Sequence, residues 1–149
     1  MNTDTYPAKS FRMPSITRAA AGSLISAVHE AAAGIGFEAV VAVTDAGGHL
    51  KAFDRADTTP FLAAETAVGK AWTAASFHVA THVLNEYVAN PKVAPLAHHP
   101  RLVAVGGGYP ITEDGRCIGG LGVAGGRHEQ DREAAEAALA CLGFDVGGG

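Results

Sequence analysis

Two cysteines in 149 residues, Cys117 and Cys141, are too few for a disulfide framework, and neither falls in a CxxC or mixed His/Cys ligand spacing. A pair of buried, reduced thiols is the expected state, which suits a cytoplasmic location. Charge is scarce as well: 17% of residues are charged, 15 acids against 11 Lys and Arg, for a net charge of −4. With no basic stripe, nucleic acid is not an expected partner. No apolar run approaches bilayer-spanning length, and no secretory signal pattern opens the chain, so neither membrane nor export is expected. Three catalytic signatures are also missing. There is no GxSxG elbow, no GxxxxGK[ST] phosphate loop and no HExxH zinc helix.

Small apolar residues are what the chain has. Hydrophobic residues make up 48%, enough at this length for one core without metal or disulfide support. A single domain over 15–149 is expected, after a polar arm (1–14) with two prolines that is mobile or packed on a neighbour. The low charge suggests that other subunits cover part of the exterior. Nine of the 19 glycines fall between Gly106 and Gly126, interleaved with β-type segments. Such density signals tight turns, or a backbone closely approached by another chain segment, a subunit or a ligand.

Helical spacing starts at Ser15, a candidate cap, and stops at Gly34 and Gly36, with Ala20, Leu24, Val28, Ala31 and Ile35 on the core side and His29 off it. Phe37–Asp45 reads as a buried strand joined through Asp45-Ala-Gly-Gly48 to His49–Arg55, a hairpin whose second strand sets Leu50, Ala52 and Asp54 on one face. Thr59-Pro60 opens a helix with a stripe of Phe61, Ala64, Val68, Trp72 and Ala75. Thr81–Val88 is a further helix, and Asn90–Pro100 is a proline-rich loop. Strands are expected at Arg101–Val105, Tyr109–Thr112 and Cys117–Ala124, then a helix over Glu129–Leu142. The order α-β-β-α-α-β-β-β-α implies an α+β fold, an antiparallel sheet with helices packed on it.

Several residues carry possible chemistry. Glu65 falls within the apolar stripe of its helix, where a carboxylate must be paired, brace a neighbouring loop or act as a functional acid. His78 and His82 are four apart, the spacing of two metal ligands on one unbroken helix, although Thr81 could break it; otherwise they are core-edge or surface histidines. His98 and His99 lie in the proline loop, where one of them could serve as ligand or acid/base group. Gly107 and Gly108, with Gly125 and Gly126, could edge a cleft. The second cluster precedes a helix, so its N–H groups and dipole could hold an anionic group with Arg127 or Arg101.

The motifs Ala39-Val-Val-Ala-Val-Thr-Asp45-Ala-Gly-Gly-His-Leu50, Lys70-Ala-Trp-Thr-Ala-Ala75, Gly107-Gly-Tyr-Pro110 and Ile118-Gly-Gly-Leu-Gly-Val-Ala-Gly125, in this order across 15–143, resemble the GlcG/HbpS-type family. That family also includes the C-terminal domain of PduO-type proteins. The resemblance implies a profilin-like α/β/α layout with a five-stranded antiparallel sheet and assembly into homo-tetramers or octamers. It also implies binding of haem or corrinoids, redox sensing, or a place in small-acid catabolism. A first-helix histidine is implicated in haem ligation in some members, and His29 is the only first-helix histidine here. Two functions are therefore expected: an oligomeric haem or tetrapyrrole binder with a redox or sensing role, or a cofactor-independent lyase, isomerase or hydrolase. The enzyme would act on a small carboxylate-bearing or aromatic compound, held by Arg101 or Arg127, with Glu65 and His98 or His99 moving protons.

Overall fold

The computed structural model describes residues 6–147. Of the expected arm, residues 1–5 lie outside the described ones, while 6–14 form no helix or strand and are largely exposed. The elements are α1 (Arg18–Ile35), β1 (Val40–Asp45), β2 (Leu50–Arg55), α2 (Leu62–Phe77), α3 (Thr81–Val88), a 3₁₀ turn (Ala94–His98), β3 (Gly108–Glu113), β4 (Arg116–Ala124) and α4 (His128–Cys141).

Four antiparallel strands in the order β2-β1-β4-β3 form the sheet. Alternation along β1 and β4 sorts the core. Val41 and Val43 pair with Val123 and Leu121 and face α1 and α4, whereas Val40 and Ala42 pair with Ala124 and Gly122 and face α2. The result is an α/β/α sandwich with four strands, one fewer than expected. Arg101–Val105 is not a strand, because side chains of α2 and α3 take its backbone groups. Thr73 Oγ1 accepts from Val103 N (3.0 Å), Asn85 Nδ2 donates to Ala104 O (2.8 Å) and Thr81 Oγ1 donates to Val105 O (2.5 Å). With those partners supplied, the segment needs no ladder.

The glycines of β4 receive a helix. On its α2 face β4 presents Gly120 and Gly122, and a Cβ on either would overlap the carbonyl oxygens of Ala71 and Ala67. Only an alanine-lined stripe can lie this close, so α2 buries Ala63, Ala67, Lys70, Ala71 and Ala74. The larger residues expected in the core are displaced: Phe61 is 88% exposed, and Val68 and Trp72 are half-buried on the flank. Glu65 moves out with them and is exposed.

One buried charge accompanies the alanines. Lys70 Nζ donates to Val123 O (2.9 Å) and to Asp131 Oδ2 of α4 (3.0 Å), with the two residues 2% and 3% exposed. Gly107, at φ +123°, makes room for the pair: a Cβ there would stand 2.9 Å from Lys70 Nζ and 2.9 Å from Asp131 Cβ. Burial pushes the Lys70 ammonium down and the Asp131 carboxyl up, and each charge opposes the shift of the other.

Helix ends follow local chemistry, with adjustments. Gly36 closes α1 in the left-handed region (φ +106°) as expected. The N-cap of α1 is Thr17, whose Oγ1 accepts from Ala20 N, while Ser15 Oγ instead accepts from Ala46 N. Thr59 donates to Ala56 O and leaves α2 without a side-chain cap.

The glycines separate into two stability classes. Gly122→Ala is expected to lose at least ~2 kcal/mol in urea unfolding, since helix backbone cannot rotate away. Gly34→Ala, whose Cβ meets nothing within 4 Å, should gain ~0.5–1 kcal/mol in the same assay.

Candidate functional site

The edge strand β2 lies between two grooves. A bulge opposite Val43/Thr44 changes the alternation, so that Leu50 pairs with Thr44 and faces the α2 side with Phe53, while Ala52 and Asp54 face α1. The sequence alternation had kept Leu50 with Ala52 and Asp54; the extra residue moves it across.

The α1-side groove has a volume of about 960 Å³. Gly22, Ile25, Ser26 and His29 form one face of α1, at spacings of three and four, opposite Lys51–Asp54. Gly22 has open space where a Cβ would stand, and Ser26 is small, so the middle of this helix face is shallow. His29 closes one end of it, 29% exposed, with Nε2 2.6 Å from Asp54 Oδ2. Arg18 and Lys51, both exposed, supply positive charge on opposite walls.

The α2-side groove, about 480 Å³, brings Glu65 and Arg101 together among Leu50, Phe53, Val68 and Val103. Arg101 lies over the Trp72 ring, its guanidinium carbon 4.4 Å from the centroid. His99 stacks on the same indole at 5.4 Å and 20°, and its Nδ1 accepts from Arg101 N (3.1 Å). Arg101, His99 and Glu65 thus gather around one groove and its Trp72 support. His98 is exposed at the end of the 3₁₀ turn and has no part in that stack.

A third cleft of about 560 Å³, between α3 and α4, is lined by His82, Glu86, His128, Arg132 and Glu136. Tyr109 OH donates to Glu136, which also accepts from Arg132 Nε (3.1 Å). Burial, with the phenol held on that carboxylate, pushes Tyr109 far above the usual tyrosine range. The His82 ring lies 5.7 Å from Tyr109, and its buried Nδ1 has no partner among the described residues. Burial and then the Arg132 charge hold His82 below the ordinary histidine value.

Other candidates are separated. His78 is the left-handed C-cap of α2 (φ 57°), whereas His82 lies on α3, so the chain breaks between them and they do not share a helix face. His78 instead lines a small pocket with Cys117. Among the described residues no group of three or more His, Cys, Asp or Glu could hold a metal ion. The glycine clusters meet protein where a cleft was expected. Gly107 and Gly108 are covered by Lys70, Asp131 and Thr81, Gly125 by Glu38 O, and Gly126 by Phe37. The N–H groups expected to hold an anion also have partners, since Gly126 N donates to Asp131 Oδ1 and Arg127 N to Gln130 Oε1, both 2.9 Å. The Arg127 side chain is exposed, with Nε 3.7 Å from Glu129.

Sequence reasoning missed Asp131 and the use of Lys70. A lysine in register with Ala63, Ala67, Ala71 and Ala74 was the available signal. The Arg132–Glu136 pair was open to detection from its i,i+4 spacing.

A three-layer α+β domain with ligand-sized grooves beside an edge strand is the class this geometry defines. Residues 16–140 match the family described as haem degrading protein HbpS-like, and the chain belongs to that family. An uncharacterized 15.0 kDa protein of the dhaT-dhaS intergenic region of Citrobacter freundii is 36% identical over 137 residues, covering 90% of this chain and 96% of the relative. A double mutant of Streptomyces reticuli HbpS superposes with a TM-score of 0.85 at 30% identity, over 93% of this chain and 94% of that one. The PduOC:heme complex superposes at 0.81 and 32% identity, over 89% and 98%. No helix among the described residues is long and apolar enough to cross a membrane.

The depressed His82 sets a pH dependence. A folded-state value below the unfolded one means stability present above pH ~6.5 and lost as pH falls through the folded value. Between pH 7.5 and 5.5, His82→Gln should lose less urea stability than the wild type. Equal losses would remove His82 as a source.

Proposed function

We propose that this chain binds haem, or a similar tetrapyrrole, in the α1-side groove with His29 as the iron ligand. The observation that carries the reading is the position of His29, at the end of a shallow helix face in a groove of about 960 Å³. That volume is at the upper end of ordinary ligand pockets. Gly22 and Ser26 leave room for a flat ring, Ile25 and Ala52 offer apolar contact, and Arg18 and Lys51 suit its two propionates. Asp54 Oδ2 stands 2.6 Å from the buried Nε2 without an aligned hydrogen bond; a turn of the ring onto that carboxylate would fix N–H there and leave the Nδ1 lone pair for a metal. Haem, when bound, supplies a redox-active iron whose behaviour depends on its axial ligand. The family description and the haem-bound PduOC structure support the same reading.

We extend this to a homo-oligomer, a tetramer or octamer, with a redox or sensing role in the cytoplasm. Exposed Phe11, Phe61 and Leu62, at 83%, 88% and 65%, support burial of surface between copies. Cys117 is half-buried and Cys141 exposed, where both were expected to be buried, and as free thiols they agree with a reducing compartment.

Hemin titration tests the ligand. A saturable Soret shift is expected for the wild type, with His29→Ala weakening binding about tenfold or more and moving the band. No shift in the wild type, or a His29→Ala spectrum and affinity indistinguishable from it, overturns the assignment.

A further inference from the structure

We infer that the α2-side groove is a second, independent ligand site for a small monocarboxylate with an apolar body and a hydrogen-bond donor at its far end.

Arg101 is the anchor. Its guanidinium has no carboxylate within 4 Å among the described residues, although it carries five donors suited to planar, bidentate recognition of one. The side chain is positioned rather than loose, since Trp72 lies under the guanidinium. Its backbone is held too. Arg101 N donates to His99 Nδ1, Arg101 O accepts from Thr73 Oγ1 (3.4 Å), and two residues on Val103 N donates to the same hydroxyl. A preorganised cation costs a ligand less ordering on binding.

Apolar side chains supply the body of the site. Leu50 joins Phe53 in the groove because of the β2 bulge, and Val68 reaches it because the alanine stripe excludes it from the core. Val103 completes the wall, packed so tightly on Gly69 that a Cβ there would stand 2.5 Å from its Cγ2. A volume of about 480 Å³ suits a small organic molecule.

Glu65 sets the polarity of the rest. It lines the same groove and forms no ion pair with Arg101 or any other described residue. Two opposite charges in one apolar groove, unpaired with each other, complement a ligand that is anionic at one end and a donor at the other. A second carboxylate would face Glu65 and be repelled. The site shares only Phe53, a residue of the intervening edge strand, with the lining of the His29 groove.

Calorimetric titration with 4-hydroxybenzoate, terephthalate and 4-hydroxybenzamide tests this. Saturable binding of 4-hydroxybenzoate is expected, with terephthalate and the amide at least about tenfold weaker. Arg101→Gln should lose about tenfold or more, Arg101→Lys should recover part of it, and Glu65→Gln should bring terephthalate closer to 4-hydroxybenzoate. Arg101 is exposed, so circular dichroism should show these variants folded. His29→Ala should leave 4-hydroxybenzoate affinity unchanged, which separates failure here from failure of the haem assignment. No saturable binding up to millimolar 4-hydroxybenzoate, equal affinity for acid and amide, or an unaltered Arg101→Gln overturns the inference.

Discussion

A buried ion pair, Lys70 with Asp131, determines how the layers of this domain meet. Lys70 comes from α2 on one face of the sheet, and Asp131 from α4 on the other. Such a pair is tolerable only if its remaining hydrogen-bonding capacity is used. Val123 O takes the ammonium, and Gly126 N donates to the second carboxylate oxygen. The route between the layers exists because Gly107 has no side chain. One interaction therefore joins two helices, the end of β4 and the turn into α4.

The close approach of α2 has a consequence for function. Glycines on β4 admit the helix backbone, the helix answers with alanines, and its larger side chains are displaced to the flank. There they meet β2, an edge strand whose bulge contributes Leu50 and Phe53 to the same side. The groove holding Glu65 and Arg101 is a by-product of this tight interior. The groove holding His29 has a different origin, small residues on the outer flank of α1 facing the opposite side of β2. Both of these grooves thus lie beside the edge strand, while most glycines of the conspicuous 106–126 stretch pack against protein atoms.

Much of this was legible in the chain. The β1–β2 hairpin followed from turn chemistry, the end of α1 from Gly36, and the off-core position of His29 from helical spacing. Family motifs pointed to the α/β/α layout. What could not be read was parity and reach. Size suggested that Phe61 and Trp72 belong in the core, but only the partner surface shows that alanines must face Gly120 and Gly122. A bulge reverses the face of Leu50 without altering its neighbours in sequence. The apparent anion site at Gly126 and Arg127 was real in its donors, yet Asp131 and Gln130 of the same chain supply their acceptors. Arg101–Val105 has strand composition, but threonines and an asparagine on α2 and α3 take the hydrogen bonds a ladder would have used.

The central claim is that Lys70 and Asp131 act as one structural unit across the sheet. A double-mutant cycle with Lys70→Met and Asp131→Leu, followed by urea unfolding, tests it directly. Each single change should lose ~3–5 kcal/mol, because the partner is left buried and uncompensated, while the double variant should lose clearly less than the sum. Additive losses, or single variants within ~0.5 kcal/mol of the wild type, would contradict it.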